Sequence, residues 1–180
     1  IISRFTSFTK THRLFLLMNT QAIIVMGVSG CGKSTIGAKL AGELGWEFFD
    51  ADDFHPAANR AKMAQGIPLT DADRANWLAA LQHLLRTHAE DSKPCVLACS
   101  ALKQRYRDTL AVNEKVRFVY LRGSFDQIKT RMKRRKDHYM PVELLKSQFE
   151  ALEEPRDAVI VDISHAPKEI IQIIRKGIAL

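Results

Sequence analysis

The residues whose types and spacing point most directly to chemistry form the segment GVSGCGKST at residues 27–35. The segment fits the pattern G-x-x-x-x-G-K-[ST], in which glycines permit a tight turn and backbone N–H groups point at one anion. Lys33 would reach the terminal phosphates of a nucleoside triphosphate, and the Ser34 hydroxyl would ligate Mg²⁺. The sequence therefore predicts a nucleoside triphosphate and Mg²⁺ site formed by Gly27, Val28, Ser29, Gly30, Cys31, Gly32, Lys33, Ser34 and Thr35.

Two carboxylates follow at a second position where ligands would be expected. Asp50 and Asp52 are two residues apart at the end of a predicted strand, so they emerge on the same side. The carboxyl ends of parallel strands form the ligand-binding edge of an open α/β sheet. One carboxylate can hold the metal through water while the other accepts a proton from a hydroxyl acceptor. The pair favours phosphoryl transfer to a hydroxyl; the alternative is that both carboxylates only cap an exposed loop.

The elements that must position these residues alternate along the chain. Short apolar runs predict five strands, at 22–26, 46–50, 94–99, 116–121 and 158–162. Apolar residues at helical spacing predict helices at 35–44, 100–110, 125–135, 141–152 and 167–176, and another that begins near Asp71 or Asp73 as N-cap. Residues 54–70 are polar and are predicted to be a loop. Strands that alternate with helices indicate an α/β fold: a three-layer sandwich with a parallel sheet of about five strands and helices on both faces.

Several classes of protein are excluded. The guanine-reading motif Asn-Lys-x-Asp of GTPase switches is missing, and the strand that would carry the Walker B aspartate of a transport ATPase ends in Cys99-Ser100. No apolar run approaches the ~20 residues needed to span a bilayer, which predicts no membrane partner. The net charge is +7, but no basic stripe is interleaved with aromatic residues, so no nucleic-acid partner is expected. The charge instead suits a pocket for anionic substrates.

The domain is predicted to span residues 22–180, with residues 1–21 as an N-terminal extension. The extension contains Arg4, Lys10 and Arg13 but no acidic residue, and resembles a transit peptide. The alternative, which we favour, is a sequence upstream of a start at Met18. The three cysteines, Cys31, Cys95 and Cys99, have neither metal-ligand nor disulfide spacing, which indicates reduced thiols in a cytoplasmic protein.

The phosphate-binding segment and its companions together resemble the gluconate kinases. The resemblance covers residues 22–180 and is carried by the motifs at 27–34, 50–56, 66–78, 98–107 and 148–155, with Asn59 and Lys62-Met63 between them. That family is similar in fold to shikimate and nucleoside monophosphate kinases. The resemblance implies transfer of the γ-phosphate of ATP to the 6-hydroxyl of D-gluconate by a cytoplasmic homodimer. The alternative is a kinase for another small acceptor, of the shikimate or nucleoside monophosphate type.

The resemblance also implies roles for individual residues. Asp52 is expected to be the general base, or at least the residue that positions the hydroxyl, and Asp50 is expected to hold Mg²⁺ through water. Gluconate is a polyol with one carboxylate, so its site needs cations and hydrogen-bonding groups. The candidates are His55, Asn59, Lys62, Arg74, Lys103 and Arg107. For each cation the alternative is a solvated surface charge, and for Arg74 a structural salt bridge beside Asp73 is a second alternative.

A helical lid is expected around residues 123–145. Arg131 and Arg135 are four residues apart on a basic helix and so lie on one face. In kinases of this fold such a pair closes on the phosphates, neutralises charge and excludes water; a solvated basic face is the alternative. His138 is expected either to contact the substrate or to stabilise the lid. Asp137 precedes it where the family pattern usually has Gly, which could stiffen the hinge.

Two further features, Cys31 and the turn after the last strand, also lead to predictions. Cys31 lies in the phosphate loop near a helix N-terminus, which would favour its thiolate. Thiol reagents would then slow the enzyme and MgATP would protect it; the alternative is that Cys31 replaces Ser without redox meaning. The turn at 164–167 follows the last strand, where kinases of this fold often place the adenine.

Overall fold

The computed structural model describes residues 20–133 and 142–178, so predictions for residues 1–19, Arg135, Asp137 and His138 lie outside the described residues. Five strands are present in these ranges: β1 Ala22–Met26, β2 Glu47–Asp50, β3 Cys95–Ala98, β4 Val116–Arg122 and β5 Ala158–Asp162. Seven α-helices accompany them: α1 Lys33–Leu44, α2 Ala57–Ala64, α3 Asp71–Glu90, α4 Gln104–Leu110, α5 Phe125–Lys133, α6 Val142–Ala151 and α7 Pro167–Gly177. A short 3₁₀ helix spans Ala51–Phe54.

The strands form one parallel sheet in the order β2-β3-β1-β4-β5. The connection after β1 leads to β2 at one edge of the sheet, whereas the connection after β3 crosses β1 and leads to β4. Connections that diverge in this way leave a crevice at the carboxyl ends of the strands, where open α/β sheets bind ligands. Residues 27–35 and the 3₁₀ helix both begin at this edge.

Alternate residues of β1 divide the core into two layers. Ile23 and Val25 pack on one face with apolar residues of α1, α5, α6 and α7. Ile24 and Met26 pack on the other face with residues of α3 and α4. All of β1 is buried, as expected for the central strand of a sheet that is covered on both sides. The observed three layers confirm the predicted α/β sandwich with five parallel strands.

The prediction of a loop at residues 54–70 is wrong, because α2 lies within it. The sequence of α2, AANRAKMA, has good helix formers but no apolar stripe, and only Asn59 is buried. Periodicity is a signal of burial, so a short helix that buries one polar residue lacks it.

The predicted N-cap of α3 is also wrong. Thr70 is the cap: its side chain accepts a hydrogen bond from the Asp73 N–H, while Asp73 accepts one from the Thr70 N–H at 2.8 Å. This reciprocal pair is a capping box, in which Asp73 has the place that Glu or Gln usually takes.

Candidate active site

The phosphate loop takes backbone conformations that its glycines make possible. Gly27, Gly30 and Gly32 have φ angles of 140°, 81° and 107°. A Cβ atom at Gly27 would lie 2.9 Å from both the Leu121 carbonyl oxygen and Cys31 Sγ, so a side chain does not fit there. Gly32 is the N-cap of α1, which directs the N-terminal N–H groups of that helix into the loop.

The side chains that would meet the phosphates and the metal lie together. Lys33 Nζ donates to the Val28 carbonyl at 3.1 Å, across the mouth of the loop. Ser34 Oγ donates to Asp50 Oδ2 at 2.5 Å, which brings the two residues predicted to hold Mg²⁺ into contact. The other oxygen, Asp50 Oδ1, accepts the Asp52 N–H at 3.1 Å. Asp50 is therefore fixed from both sides.

Asp52 lies at the same cleft. The cleft is lined by Ser29, Gly30, Gly32, Lys33, Ser34, Thr35, Asp50, Asp52 and Met132. Asp52 is exposed, and among the described residues its carboxylate has no hydrogen-bond partner. An unpaired carboxylate beside a phosphate loop can accept a proton from a hydroxyl group that enters the cleft.

His55 and Asn59 are buried beside Asp52. The His55 ring stacks on Trp77, with centroids 4.6 Å apart and planes 7° apart. Trp77 is held in turn by donation from Nε1 to the Ala51 carbonyl at 2.7 Å. Burial lowers the pKa of His55, partly offset by the charge of Asp52. Asn59 Nδ2 donates to the Asp73 carbonyl at 2.7 Å.

Lys62 and Arg74 already have partners within the protein. Lys62 Nζ lies 2.7 Å from Asp73 Oδ1, and this contact with the capping-box bonds lowers the pKa of Asp73 to about 2. Arg74 Nη1 donates to the Leu69 carbonyl at 2.5 Å, and its guanidinium lies 5.9 Å from the centre of the Tyr106 ring. Asp73 pairs with Lys62, and the alternative of an Arg74–Asp73 salt bridge is not observed.

A cluster that the sequence interpretation missed surrounds Asp71. Its carboxylate accepts hydrogen bonds from the Tyr106 hydroxyl and Lys103 Nζ and contacts the Arg105 guanidinium. These three donors hold the pKa of Asp71 well below its usual range, with the Tyr106 hydroxyl as the largest cause. With Arg74 over the same ring, the cluster gathers three cations near one carboxylate.

Arg107 is turned away from solvent, which argues against its predicted substrate contact. It is 3% exposed, and its guanidinium donates to the carbonyls of Ala101 and Leu102 and to Gln104 Oε1. Burial lowers its pKa. Ala101 has a φ of 44°, which an alanine adopts only at a cost. Arg107 therefore holds the strained turn that follows β3.

Arg131 lies at the end of α5, next to the phosphate loop. Its Nη2 donates to the Ile163 carbonyl, just before the turn at residues 164–167. That turn is closed by the Ser164 N–H, which donates to Asp162 Oδ1 at 2.7 Å. Arg131 thus connects the helix assigned to the lid with the turn at which we expect the adenine.

The thiolate predicted for Cys31 is contradicted. Cys31 is 1% exposed, and burial raises its pKa more than the nearby Lys33 lowers it. Burial likewise raises the pKa values of Cys95 and Cys99 to about 12. All three cysteines are free and buried.

The donor set fits Mg²⁺ that is shared with phosphates. Among residues 20–133 and 142–178, no group of three or more His, Cys, Asp or Glu side chains could hold a metal ion. Mg²⁺ commonly takes one or two protein oxygens and completes its octahedron with water and phosphate oxygens. The Ser34 hydroxyl and the Asp50 carboxylate supply oxygens of that kind at the cleft. In these ranges no helix is long and apolar enough to cross a membrane.

Comparison with known proteins decides the family. A probable gluconokinase of Mus musculus is 47% identical over 169 residues, which cover 84% of this chain and 87% of the relative. The thermosensitive gluconokinase of Escherichia coli K12 is 44% identical over 166 residues, 89% of each chain. The chain belongs to the gluconokinase family. Within it, the crystal structure of a gluconokinase from Sinorhizobium meliloti 1021 has 42% identity and a TM-score of 0.83, covering 89% of this chain and 93% of that one.

The chain is also similar to shikimate kinases. A family model described as shikimate kinase matches residues 29–177, which is most of the chain. The shikimate kinase of Aquifex aeolicus has a TM-score of 0.56 at 18% identity, covering 87% of this chain and 94% of that one. Identity this low shows that the fold is shared and says nothing of the acceptor.

Proposed function

We propose that the protein is an ATP-dependent gluconokinase, which transfers the γ-phosphate of MgATP to the 6-hydroxyl of D-gluconate and yields 6-phosphogluconate and ADP. The observation that carries the proposal is that Asp52 lines the same cleft as Lys33 and Ser34. A base for an alcohol and a cradle for a triphosphate thus open onto one space, in a chain of the gluconokinase family.

The donor half of the site would bind the triphosphate by backbone and charge. Among the described residues, the N–H groups of Gly30 and Gly32 have no protein acceptor, which leaves them to phosphate oxygens. Lys33 would exchange its contact with the Val28 carbonyl for the terminal phosphates. Catalysis of phosphoryl transfer depends mainly on such positioning and charge neutralisation, because the transition state needs little covalent help.

Ser34 and Asp50 are the residues that would hold Mg²⁺, the former directly and the latter through water. When bound, the ion would supply positive charge that neutralises the charge developing on the phosphate oxygens. The hydrogen bond from Ser34 to Asp50 keeps both oxygens at the cleft. The hydrogen bond from the Asp52 N–H to Asp50 Oδ1 supports separate roles for the two carboxylates, in which Asp50 would serve the metal and Asp52 the acceptor.

The acceptor half would be the surface between α2, α3 and α4. Asp52 would accept the proton of the 6-hydroxyl as that oxygen attacks the γ-phosphorus. Arg74, Lys103 and Arg105 form the cationic cluster that suits the gluconate carboxylate, and His55 and Asn59 would order the loop beside it. Lys62 would act through Asp73, which it binds. Arg135 and His138 remain proposed lid residues.

The family model gives a reason to test a second acceptor, shikimate. The match of this model extends over residues 29–177. The solved shikimate kinase of Aquifex aeolicus, however, is only 18% identical to this chain, so the similarity shows a shared fold alone. A coupled assay of ADP release with MgATP and either D-gluconate, shikimate or AMP separates the candidates. We expect turnover with gluconate alone; turnover with shikimate and none with gluconate would overturn the proposed acceptor.

The general base is tested by Asp52→Asn, which keeps the shape of the side chain and removes its basicity. We expect kcat to fall at least about a hundredfold, the usual range for a general acid or base. Asp53→Asn is the matched control, because Asp53 is the adjacent exposed carboxylate of the same 3₁₀ helix and does not line the cleft. Equal rates for Asp52→Asn and wild type would keep the acceptor and overturn the base.

We also propose that the protein is a homodimer in the cytoplasm, as the family resemblance implies. Three buried free cysteines are compatible with a reducing compartment. Sedimentation equilibrium gives the assembly: a mass near twice 20.4 kDa supports the dimer, and a mass near 20.4 kDa overturns it.

A further inference from the structure

A side chain of α6 accepts a hydrogen bond from one N–H group of the phosphate loop. Gln148, on α6, accepts the Ser29 N–H through Oε1 at 2.7 Å, across 119 positions of sequence. The contact is short and well within the range for a strong N–H···O bond. The triphosphate itself is expected to be bound by the following N–H groups and by Lys33. Gln148 therefore binds the loop at Ser29, just before the N–H groups that are expected to bind phosphate.

The same helix pair meets the loop at the next residue. Met132, on α5, packs on Gly30 so closely that a Cβ atom there would lie 2.8 Å from Met132 Cγ. The two helices are joined by an edge-to-face contact of Phe125 with Phe149, whose ring centroids are 5.5 Å apart. Helices α5 and α6 thus contact the loop, α6 by a hydrogen bond at Ser29 and α5 by packing at Gly30.

We propose that Gln148 is a positioning residue, which holds the phosphate loop in its nucleotide-binding form and links it to the helices that flank the lid. The inference rests on the proposed function only in that the loop binds ATP. A loop that is already fixed loses less conformational entropy when the nucleotide binds. Loss of the Gln148 acceptor would free the front of the loop and leave the partly buried Ser29 N–H without its partner.

The test is Gln148→Met, which keeps the length of an unbranched side chain and removes the carbonyl. Binding of a fluorescent ATP analogue is titrated without gluconate, so that the result does not depend on the acceptor. We expect the Kd for the analogue to rise about tenfold, while in turnover assays the KM for gluconate stays within about twofold.

Gln82→Met is the matched control. Gln82 is a half-buried glutamine of α3 whose Nε2 donates to the Thr109 carbonyl at 2.8 Å, so the same substitution removes a comparable bond elsewhere. Both variants should lose similar thermal stability, and only Gln148→Met should lose nucleotide affinity. Equal affinities in the two variants would overturn the proposal.

Amide hydrogen exchange gives a readout that does not require binding. In the free wild-type protein the Ser29 amide should exchange slowly, and in Gln148→Met it should exchange at least about tenfold faster. Unchanged exchange at Ser29 would overturn the proposed contact. If gluconate is not phosphorylated but both effects appear, the proposed acceptor fails and the role of Gln148 stands.

Discussion

Cys31 shows how burial decides the chemistry of a residue whose sequence neighbours suggest otherwise. A thiol near a helix N-terminus and a lysine should ionise easily. The side chain instead points into the apolar layer under the loop, where desolvation disfavours the thiolate and raises its pKa. The alternative interpretation, in which Cys31 replaces Ser without redox meaning, agrees better with this environment.

This burial makes a prediction for thiol reagents. In the native protein none of Cys31, Cys95 and Cys99 should react with Ellman's reagent within minutes at pH 7.5, because all three are buried and their pKa values are raised. All three should titrate once guanidinium unfolds the chain. Fast reaction of one thiol in the native protein, absent in Cys31→Ser, would instead restore the thiolate prediction.

The sequence correctly predicted which residues are neighbours where those residues lie at the ends of predicted strands or at the start of a predicted helix. Lys33, Ser34 and Asp50 each follow a strand or open a helix at one sheet edge, so their proximity follows from the strand pattern. Asp71 and Tyr106 come from different helices, and no spacing rule brings them together. Arg107 has the right charge for a substrate, but only the fold shows that it faces the interior.

At the scale of elements, α1 carries two glycines in very different surroundings. Gly37 is buried, and a Cβ atom there would lie 2.7 Å from Cε2 of Phe48 on β2. Gly42 is exposed, and a Cβ atom there would meet nothing within 4 Å. The absent side chain of Gly37 therefore sets how closely α1 packs on the edge strand of the sheet.

Replacing each of these glycines with alanine tests that packing. Gly42→Ala should raise the free energy of unfolding by about 1 kcal/mol, because alanine favours the helix. Gly37→Ala gains the same propensity but must displace the Phe48 ring, and overpacking typically costs about 1–3 kcal/mol. Urea denaturation of both variants should place Gly37→Ala below Gly42→Ala. A Gly37→Ala variant as stable as Gly42→Ala would show that Phe48 gives way freely.

The elements that were predicted correctly are those with an apolar signature. β1 and β5 match to the residue, because each is a short, mostly apolar run rich in β-branched residues, although only β1 is buried throughout. Helix α2 was missed because its residues make almost no apolar contact, and the cap of α3 was predicted one or three residues too late, at Asp71 or Asp73. Three residues that can cap a helix, Thr70, Asp71 and Asp73, stand close together there, and hydrogen-bond geometry alone selects Thr70.

At the scale of the whole molecule, two carboxylates, Asp71 and Asp73, connect the helices α2, α3 and α4. Asp71 joins α3 to Tyr106 and to its basic neighbours on and beside α4. Asp73 joins the start of α3 to Lys62 on α2 and closes the capping box. The pKa values of both carboxylates are lowered, so the contacts among these three helices stabilise the fold only while Asp71 and Asp73 are ionised.

Acid should therefore weaken the whole fold over a defined range. The pKa of Asp73 falls from an ordinary 3.8 to about 2 in the folded chain, so its stabilising effect is present above about pH 4. It is lost as the pH falls toward 2, because the unfolded chain then binds a proton that the folded chain resists. Asp71 contributes with the same sign, since its pKa is also lowered.

Urea denaturation at pH 7, 4 and 3 of wild type and Asp73→Asn measures this effect. The variant should be less stable at pH 7, and the difference should shrink toward pH 3, where Asp73 of the unfolded wild-type chain binds a proton that the folded chain still resists. Asp53→Asn, which removes a carboxylate outside the network, should follow wild type at every pH. A difference for Asp73→Asn that is the same at pH 7 and pH 3 would show that Asp73 acts by shape alone. The acid sensitivity of the contacts among these helices would then have to arise at Asp71.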